Sequence, residues 1–411
     1  MKNSFVIACN AWADDEMGGA YRIASEFAVH CARKGHDTHY VSMHAGSARR
    51  VEYDRKDGVH LWRYPGPANS GGGKSARNLF GHWKGVQEAA KLIRGRLSKG
   101  APVVLNGHTA LQYWGLLNPL RGMLKRKVLS VHSPLTAEYL AEKNSKVGAF
   151  RDRLALAALS RIEKKIYRAS DLILCDSLYT KKRLEADFPS ETARRAVVCP
   201  GYADAREDML ALSRHDARRK LPAGLWSDNV PYFFTARRLV PRTGVDALIR
   251  AAAWIKNTDR ASFRVMIAGQ GPLSDEYKAL SRQLGVADEV RFLGFISEEE
   301  LRLSHRAADC FVLPTRELEC FGLVILEAFA SGTPVIATPI GAIPELMAPA
   351  PEGLARDNSP EALGERMLAF LRSGGQRNAA HAAKYVAFAK NYEKTKILDR
   401  LEVLVMGGEN I

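Results

Sequence analysis

Two glutamates that flank a glycine are the residues of this sequence whose types and spacing best suit chemistry. Glu319 and Glu327 lie eight positions apart, and Gly322 stands between them. A glycine lets backbone approach a ligand closely, and the free amide groups at the start of a helix bind anions. The segment therefore offers a cradle for a phosphate group with one carboxylate on each side.

Glu327 is the more unusual of the two glutamates, because it lies inside an apolar run. That run extends from Leu323 to Ala330 and is typical of a helix. A charge amid so much apolar surface costs several kcal/mol unless another group pairs with it. The alternative is that Glu327 lies on a solvent-facing side of the helix and that Glu319 is an ordinary loop charge.

The elements around the two glutamates predict how they are positioned. A β-type run, Cys310 to Leu313, precedes the loop, and Pro314 closes it. After the helix, residues 331–334 form a turn, and the run from Val335 to Ala337 is typical of a strand. This is a strand–loop–helix–strand unit of a parallel sheet. Such sheets bind ligands beyond the carboxyl ends of their strands, where this loop lies.

The stretch that contains both glutamates resembles the donor-site signature of the family-4 retaining glycosyltransferases, which have the GT-B fold. The signature has the form E-G-F-G-L-x-x-L-E-A, then G-x-P-V-(I/V)-A, then G-x-x-P-E. The chain matches these parts from Glu319 to Ala328, from Gly332 to Ala337 and from Gly341 to Glu345. One departure is Cys320, where glycine is common. The resemblance implies an α/β protein with two Rossmann-like, doubly wound domains and an inter-domain cleft.

The resemblance also implies roles for the residues of this segment. Glu319 would act in catalysis, holding sugar hydroxyls and supporting positive charge at the anomeric carbon. Glu327 would bind the ribose hydroxyls of a nucleotide. The backbone amides of Phe321, Gly322 and Leu323 would contact the diphosphate.

A basic turn follows the first strand of the second half, at residues 237–244. Arginines suit a diphosphate because they make bidentate contacts and stay charged. The turn resembles the family's G-R-L-x-x-x-K-G clamp, in which Arg238 matches the arginine and Thr243 replaces the lysine. We expect Arg238 to bind the diphosphate and stabilise it as a leaving group, and Arg242 to supply the second cation. The alternative is a set of solvated arginines on a surface turn.

Two further segments resemble the family's nucleotide site. Gly269 and Gly271 belong to a G-x-G-P turn after a strand, and Phe295 lies in an F-L-G-x-(V/I) segment whose backbone would meet the base. A lone G-x-G is a weak signal and is not the dinucleotide fingerprint G-x-G-x-x-G. Backbone contacts do not reveal which base is bound.

The first half offers two candidates at turns that follow strands. Gly18 and Gly19 open the first helix, where backbone amides bind phosphate, although plain Gly-Gly turns are common. The resemblance implies that this loop faces the diphosphate and the acceptor. His132 begins an H-S-P-x-x-x-E segment that resembles the family's histidine loop, so we expect it to be a catalytic residue that contacts the sugar or acceptor. A lone histidine after a strand is more often structural, and His108 is a weaker candidate.

Length and composition fit a two-domain globular enzyme. The 411 residues suffice for two cores. We expect an acceptor-side domain at residues 1–203, a nucleotide-sugar domain at 204–387, and a terminal helix at 388–411 that crosses back to the first domain. No apolar run reaches the ~18–20 residues of a membrane span, and the six cysteines show no C-x-x-C spacing. We therefore expect a cytoplasmic protein without structural disulfides or zinc, and, since no Asp-x-Asp site is present, a metal-independent reaction without a cofactor.

The net charge of +15 favours anionic partners. One hypothesis is peripheral docking on the inner face of a membrane, where the enzyme would meet a lipid-linked or acidic glycan acceptor; the alternative is a solvated basic surface. The basic residues are scattered and no nucleic-acid motif is recognised, so nucleic acid is not an expected partner.

The sequence thus predicts transfer of a sugar from a nucleotide diphospho-sugar to an acceptor hydroxyl, in cell-surface glycan or glycolipid synthesis. A UDP-sugar is favoured as the donor, and GDP-mannose comes next. The alternatives are a GT-B relative with epimerase or phosphorylase chemistry, and a nucleic-acid-binding protein.

Overall fold

The chain forms two compact units, each with its own sheet. The computed structural model describes residues 3–16, 18–44, 50–66, 76–97, 102–142, 150–203, 206–222, 224–227, 230–259, 261–374 and 378–408. The first unit contains residues 1–136, 149–200 and 395–411, and the second contains 137–148 and 201–394.

The first unit is built on an eight-stranded sheet of order β3-β4-β2-β1-β5-β6-β7-β8. Its strands are β1 (Ser4–Ala8), β2 (Asp37–His44), β3 (Glu52–Lys56), β4 (Val59–Pro65), β5 (Val103–Gly107), β6 (Leu124–Val131), β7 (Leu172–Cys175) and β8 (Ala196–Val198). All neighbours pair in parallel except β3 and β4, which are antiparallel. The central strand β1 is wholly buried, as near-continuous apolar strands of parallel sheets are.

Helices cover this sheet. They are α1 (Gly19–Arg33), α2 (Ala76–Arg96), α3 (Ala110–Leu117), α5 (Phe150–Ala169), α6 (Leu178–Asp187) and α7 (Pro189–Thr192). Helix α4 (Leu135–Glu142) begins in the first unit, and its residues from 137 onward belong to the second. The core between them contains Val6, Leu105, Leu129 and Ile173, all with at most 2% of their surface exposed.

The last helix of the chain, Lys394–Met406, packs on α1. The Glu402 carboxylate lies 2.9 Å from the Nε2 atom of His30 and 3.0 Å from that of His36. Lys34 pairs with Asp399 over 2.9 Å. These contacts attach the C-terminal residues to the first unit.

The second unit contains a five-stranded sheet of order β11-β10-β9-β12-β13, in which all pairs are parallel. Its strands are β9 (Tyr232–Ala236), β10 (Arg264–Ala268), β11 (Val290–Gly294), β12 (Cys310–Leu313) and β13 (Val335–Ala337). Its helices are α8 (Glu207–Ala211), α9 (Arg214–Lys220), α10 (Val245–Asp259), α11 (Ser274–Gln283), α12 (Glu298–Ala307), α13 (Leu323–Ala330), α14 (Ile343–Leu346), α15 (Pro360–Arg372) and α16 (Ala379–Ala389). The last helix of the chain, which packs on α1 of the first unit, is α17.

The predicted α/β class is confirmed, with a parallel sheet in each of two domains. The predicted unit around the two glutamates is present as β12, α13 and β13, because its apolar runs are short where strands form and longer where the helix forms. All six cysteines are buried free thiols. Within the described ranges, no helix has the length and apolar character needed to cross a membrane.

Candidate functional site

The loop from β12 to α13, residues 314–322, is held by glycines of neighbouring turns. Gly244 has φ 71°, and a Cβ atom there would lie 1.8 Å from the Pro314 carbonyl oxygen. Gly341 has φ 62°, and a Cβ atom there would lie 2.1 Å from the Glu319 carbonyl oxygen. Within the loop, Leu318 adopts a left-handed φ of 55°. Such conformations persist in a non-glycine residue only where the surroundings fix them, so the backbone that carries Glu319 is tightly constrained.

Glu319 forms an ion pair with Arg237, at the end of the neighbouring strand β9. Arg237 Nη2 donates to Glu319 Oε2 over 2.9 Å, and Nη1 donates to the hydroxyl of Thr315 over 2.9 Å. That hydroxyl donates in turn to Glu319 Oε2 over 3.1 Å. The side chains of Arg237 and Glu319 are 8% and 14% exposed. Burial lowers the pKa of the Arg237 guanidinium, and the Glu319 carboxylate opposes that shift.

Sequence analysis missed Arg237 and selected its neighbour. A signal was present, because Arg237 is in register with Phe233 and Thr235, which are both fully buried. Alternate residues of a strand share a face, so this arginine continues the buried face of β9. Arg238 is exposed, and within the described chain its guanidinium has no hydrogen bond or ion pair.

Arg242 and Thr243 lie in a short 3-10 turn, Pro241–Thr243. Arg242 Nη1 donates to the Leu318 carbonyl over 3.3 Å, which brings its charge beside the Glu319 loop. Thr243 is buried, and its hydroxyl donates to the carbonyls of Arg238 and Val240 over 2.8 and 2.7 Å. The residue in the expected lysine position therefore stabilises the turn, while two arginines, Arg237 and Arg242, contact the loop.

Gly269 and Gly271 allow two loops to lie side by side at the carboxyl edge of the sheet. A Cβ atom at Gly269 would lie 1.9 Å from the Arg237 carbonyl oxygen, and one at Gly271 would lie 2.2 Å from that of Leu239. The Gly269 amide donates to the Gly294 carbonyl over 2.7 Å, which joins the end of β11 to this edge. Phe295 follows β11 and is 57% exposed. The structure thus brings these predicted residues to the same edge as Arg237.

The start of α13 presents amide groups that no side chain caps. Gly322 is its N-cap residue with φ 99°, and the first turn contains no acidic residue. Phe321 and Leu323 pack on the backbone of Gly201, where a Cβ atom would lie 2.6 Å from Leu323 Cδ2. The positive end of the helix dipole and its amides are suited to an anion.

Glu327 lies just over one turn into α13 and is 17% exposed at its side chain. Its Oε2 atom is 3.9 Å from Nε2 of His305, which is buried on α12. The carboxylate is therefore partly buried beside a histidine and is not an ordinary solvent-facing charge. Glu319 and Glu327 flank the helix start, as the sequence predicts.

In the first unit, the Gly18–Gly19 turn opens α1. Gly18 is an extended N-cap residue without a capping side chain, and the first turn of α1 contains no carboxylate. A Cβ atom at Gly18 would lie 2.9 Å from Cδ2 of Tyr21. The turn has the features of an anion-binding helix start.

His132 is part of a chain of polar side chains at the ends of β5, β6 and β7. Its Nδ1 atom lies 2.8 Å from Asp176 Oδ2, and its Nε2 atom lies 2.9 Å from Nδ1 of His108. Nε2 of His108 lies 2.9 Å from Asn106 Oδ1. Burial lowers the pKa of His108 well below its usual value, and the His132 ring adds to that shift.

This arrangement limits what His132 can do. Both ring nitrogens of His132 have protein partners at hydrogen-bond distance, so contact with a sugar or acceptor through either nitrogen requires one of these bonds to open. The catalytic role of His132 stays a prediction. Asp176 and His108 are site residues that sequence reasoning missed or ranked low, and their contacts depend on the order of strands in the sheet.

Two clusters of histidines and carboxylates have metal-like spacing among the described residues. The first cluster consists of Asp37, His39 and His60. In it, the indole N–H of Trp62 donates to Nδ1 of His39 over 3.1 Å. The ring proton of a neutral His39 is then on Nε2, the atom that faces Asp37, so that nitrogen has no lone pair for a metal. In the second, His30, Asp399 and Glu402, the Lys34 ammonium group already pairs with Asp399.

A cavity of about 670 Å³ lies at the opposite end of α13, near Gly332 and the alanines of α16. Arg306 lines this cavity, and its guanidinium donates hydrogen bonds to three carbonyl groups. These belong to Leu210, Leu212 and Ser331. The guanidinium therefore binds the carboxyl ends of α8 and α13, and this cavity is separate from the edge that carries Glu319.

Two family models match the chain, one in each half. Residues 17–206 match the model described as Glycosyltransferase Family 4, and residues 216–388 match the model described as Glycosyl transferases group 1. The chain is 30% identical over 290 residues to D-inositol 3-phosphate glycosyltransferase of Corynebacterium efficiens, covering 68% of this chain and 66% of that protein. It is 32% identical over 201 residues to the GDP-mannose-dependent alpha-(1-6)-phosphatidylinositol monomannoside mannosyltransferase of Mycobacterium tuberculosis, covering 47% of this chain and 50% of that protein. The matched segments thus span between half and two thirds of these relatives.

Solved structures share the fold over nearly the whole chain. Sucrose-phosphate synthase from Thermosynechococcus elongatus has a TM-score of 0.77 at 19% identity, covering 98% of both chains. WaaG, a glycosyltransferase involved in lipopolysaccharide biosynthesis, has a TM-score of 0.74 at 19% identity, covering 98% of this chain and 100% of that one.

Proposed function

We propose that the chain, which belongs to the family 4 glycosyltransferases of the GT-B fold, transfers a sugar from a nucleotide diphospho-sugar to an acceptor hydroxyl. The reaction would proceed with retention of the anomeric configuration. The donor would be a UDP-sugar, with GDP-mannose as the second candidate, and the acceptor would be a glycan or a lipid-linked glycan of the cell surface.

The hydrogen bonding of the Glu319 carboxylate is the observation that carries this proposal. Both hydrogen bonds that it accepts, from Arg237 and Thr315, go to Oε2. Within the part of the chain that the structure describes, Oε1 has no hydrogen-bond partner. A carboxylate fixed by one oxygen presents the other to a ligand. Oε1 would accept a sugar hydroxyl and stabilise positive charge at the anomeric carbon.

Departure of the diphosphate requires compensation of its developing negative charge. Preorganised donors and cations aimed at such charge are usually the largest contribution to catalysis. Arg242 contacts the Glu319 loop and Arg238 is exposed on the same turn. These two cations, with the uncapped amides of Gly322 and Leu323, would bind the diphosphate. Because they supply the positive charge, the reaction would need no metal.

Glu327 would bind the ribose hydroxyls of the donor. Its partial burial beside His305 keeps the side chain in one place, and a carboxylate accepts from two vicinal hydroxyls. Gly269, Gly271 and Phe295, at the adjoining edge, would line the nucleotide. In the first unit, the Gly18–Gly19 turn would bind an anionic group of the substrates, and the polar chain through His132 would stabilise the fold of its loop.

The test combines binding and product analysis. Thermal unfolding is followed with UDP, GDP, ADP and their sugars in the presence of a chelator. A ligand at 100 times its dissociation constant adds about 2.7 kcal/mol. Wild type is compared with Glu327→Ala and with Glu276→Ala, an exposed glutamate on α11.

Stabilisation by one nucleotide, lost in Glu327→Ala but kept in Glu276→Ala, is the expected result. Incubation of that donor with glycan and lipid-linked acceptors then gives a product whose anomeric configuration is determined by NMR. The absence of stabilisation by every nucleotide would overturn the proposed function.

A further inference from the structure

Helix α5 carries an exposed face that combines apolar and cationic side chains. The helix spans Phe150–Ala169, about 30 Å. Its exposed positions recur at steps of three and four residues, which places them on one side of the helix. The exposed side chains of the first half include Phe150, Leu154, Ala157 and Ala158, with Arg151 and Arg153 beside them. Those of the second half are all cationic: Arg161, Lys164, Lys165 and Arg168.

Two apolar side chains in the first half of α5 are unusually exposed. Phe150 is 74% exposed and Leu154 is 55% exposed. Each is a side chain whose burial contributes free energy in proportion to the apolar area removed from water. They lie one helical turn apart, so they can enter the same apolar environment together.

The opposite face of α5 is anchored in the first unit. Glu163, Ile166 and Tyr167 are buried, and the Glu163 carboxylate accepts from the Leu135 amide over 2.7 Å and from the Tyr167 hydroxyl over 2.9 Å. The exposed face therefore belongs to a helix that is already ordered, so docking would not require the conformational entropy cost of ordering it.

Charge on the exposed face has one sign. No exposed position of α5, a helix that the structure describes in full, carries a carboxylate. Buried Glu191 pairs with Lys164 and Arg168 over 3.6 and 2.9 Å. Within the described ranges, Arg161 and Lys165 have no carboxylate at ion-pair distance. The cationic half therefore keeps a net positive charge toward solvent.

We propose that this face of α5 is a docking surface for an anionic lipid bilayer. Phe150 and Leu154 enter the boundary between headgroups and acyl chains, and the exposed cations of the helix, among them Arg161 and Lys165, contact the lipid phosphates. Basic residues beside exposed Phe and Leu are the composition of helices that lie in the membrane interface. The proposal goes beyond the transfer reaction and does not depend on the donor.

The experiment is sedimentation of the full chain with vesicles of phosphatidylcholine alone and of phosphatidylcholine with phosphatidylglycerol. Wild type is expected to bind only the anionic vesicles, and more weakly at high salt because salt screens the surface charge. Phe150→Ser/Leu154→Ser is expected to weaken binding about a hundredfold, since burying each of the two side chains contributes on the order of 1.5 kcal/mol.

The matched charge variant is Arg161→Ala/Lys165→Ala, which leaves the Glu191 pairs intact. Each basic residue near an anionic membrane contributes about 1 kcal/mol, so the double variant should bind about 25-fold more weakly. The controls lie on α2 of the same unit: Lys84→Ala/Lys91→Ala for charge and Leu92→Ser for apolar exposure. They should bind as wild type does.

Several outcomes would overturn the proposal. Wild type that fails to sediment with anionic vesicles would do so, as would α2 controls that lose as much binding as the α5 variants. If Phe150→Ser/Leu154→Ser bound as wild type while the charge variant did not, the face would act by charge alone and would not enter a bilayer. Thermal stabilisation by the nucleotide should be equal in all variants, so failure of docking and failure of the proposed reaction are distinguishable.

Discussion

The Arg237 guanidinium donates to the Glu319 carboxylate over 2.9 Å, although the two residues lie 82 positions apart in the sequence. The bond joins the loops that follow β9 and β12, which are neighbouring strands of the second sheet. Both side chains are largely buried, so each compensates the charge of the other. Arg237 thus positions the carboxylate on which the proposed chemistry depends.

We expect Arg237→Ala to destabilise the second unit by about 3 kcal/mol, because it leaves Glu319 as a largely buried charge without its partner. Arg238→Ala should change stability by less than about 0.5 kcal/mol, as substitutions of exposed residues usually do. Urea unfolding of both variants measures the difference. Equal destabilisation by the two substitutions would contradict the assignment of the pair.

Thr243 should not accept the lysine that its position suggests. Thr243→Lys removes two hydrogen bonds within the turn and puts a charge at a buried site, so we expect a loss of several kcal/mol. Thr243→Ser keeps the hydroxyl and should lose less than about 1 kcal/mol. Thermal unfolding of the two variants measures these losses of stability. A Thr243→Lys protein as stable as wild type would show that the turn has room for the lysine.

Arg242 should contribute to nucleotide binding more than to stability. Its backbone carbonyl, which accepts from the amides of Arg316 and Glu317, is retained in Arg242→Ala. A lost charge-assisted hydrogen bond costs about 1.5–3 kcal/mol, so nucleoside diphosphate should bind on the order of tenfold or more weakly. Calorimetry gives the affinities, with Arg250→Ala, an exposed arginine on α10, as the control. Unchanged affinity in Arg242→Ala would remove this residue from the phosphate site.

Two glycines with nearly the same backbone conformation distinguish the cost of a left-handed φ from the cost of steric overlap. Gly244 and Gly285 have φ values of 71° and 69°, but a Cβ atom at Gly285 meets nothing within 4 Å. Gly285→Ala should cost about 1–2 kcal/mol for the left-handed conformation alone. Gly244→Ala should cost at least about 2 kcal/mol more, because its Cβ overlaps the Pro314 carbonyl. Denaturant midpoints of the two variants test this, and similar values would mean that the 314–322 loop moves freely.

The buried His108 should make the first unit sensitive to acid. Burial lowers its pKa in the folded chain, so the unfolded chain binds the proton more readily. Its contribution to stability is present above the unfolded pKa of about 6.5 and is lost as pH falls through the lower folded value. Thermal midpoints between pH 8 and pH 5 should therefore fall less steeply in His108→Gln than in wild type. The exposed His381→Gln serves as the control, with an unchanged slope expected; a wild-type slope in His108→Gln would contradict the prediction.

Local patterns in the sequence determined the elements and the family. The unit of β12, α13 and β13 follows from short β-type runs, an apolar helical run and the turn residues between them, all within about thirty positions. The motif from Glu319 to Glu345 is also local, so the positions of Glu319, Gly322 and Glu327 around the helix start could be predicted from it. The alternation of strands and helices likewise fixed the class, since parallel strands need crossover helices.

Only the tertiary structure decided which distant residues meet. Arg237, and not Arg238, pairs with Glu319 because β9 lies beside β12 and the chain leaves β9 with that side chain turned inward. Both ring nitrogens of His132 lie beside protein groups because the order β5-β6-β7 brings His108 and Asp176 to its two sides. A sequence motif specifies side-chain types at fixed offsets, but contacts between strands depend on sheet order and on backbone direction, which arise from the packing of the whole core.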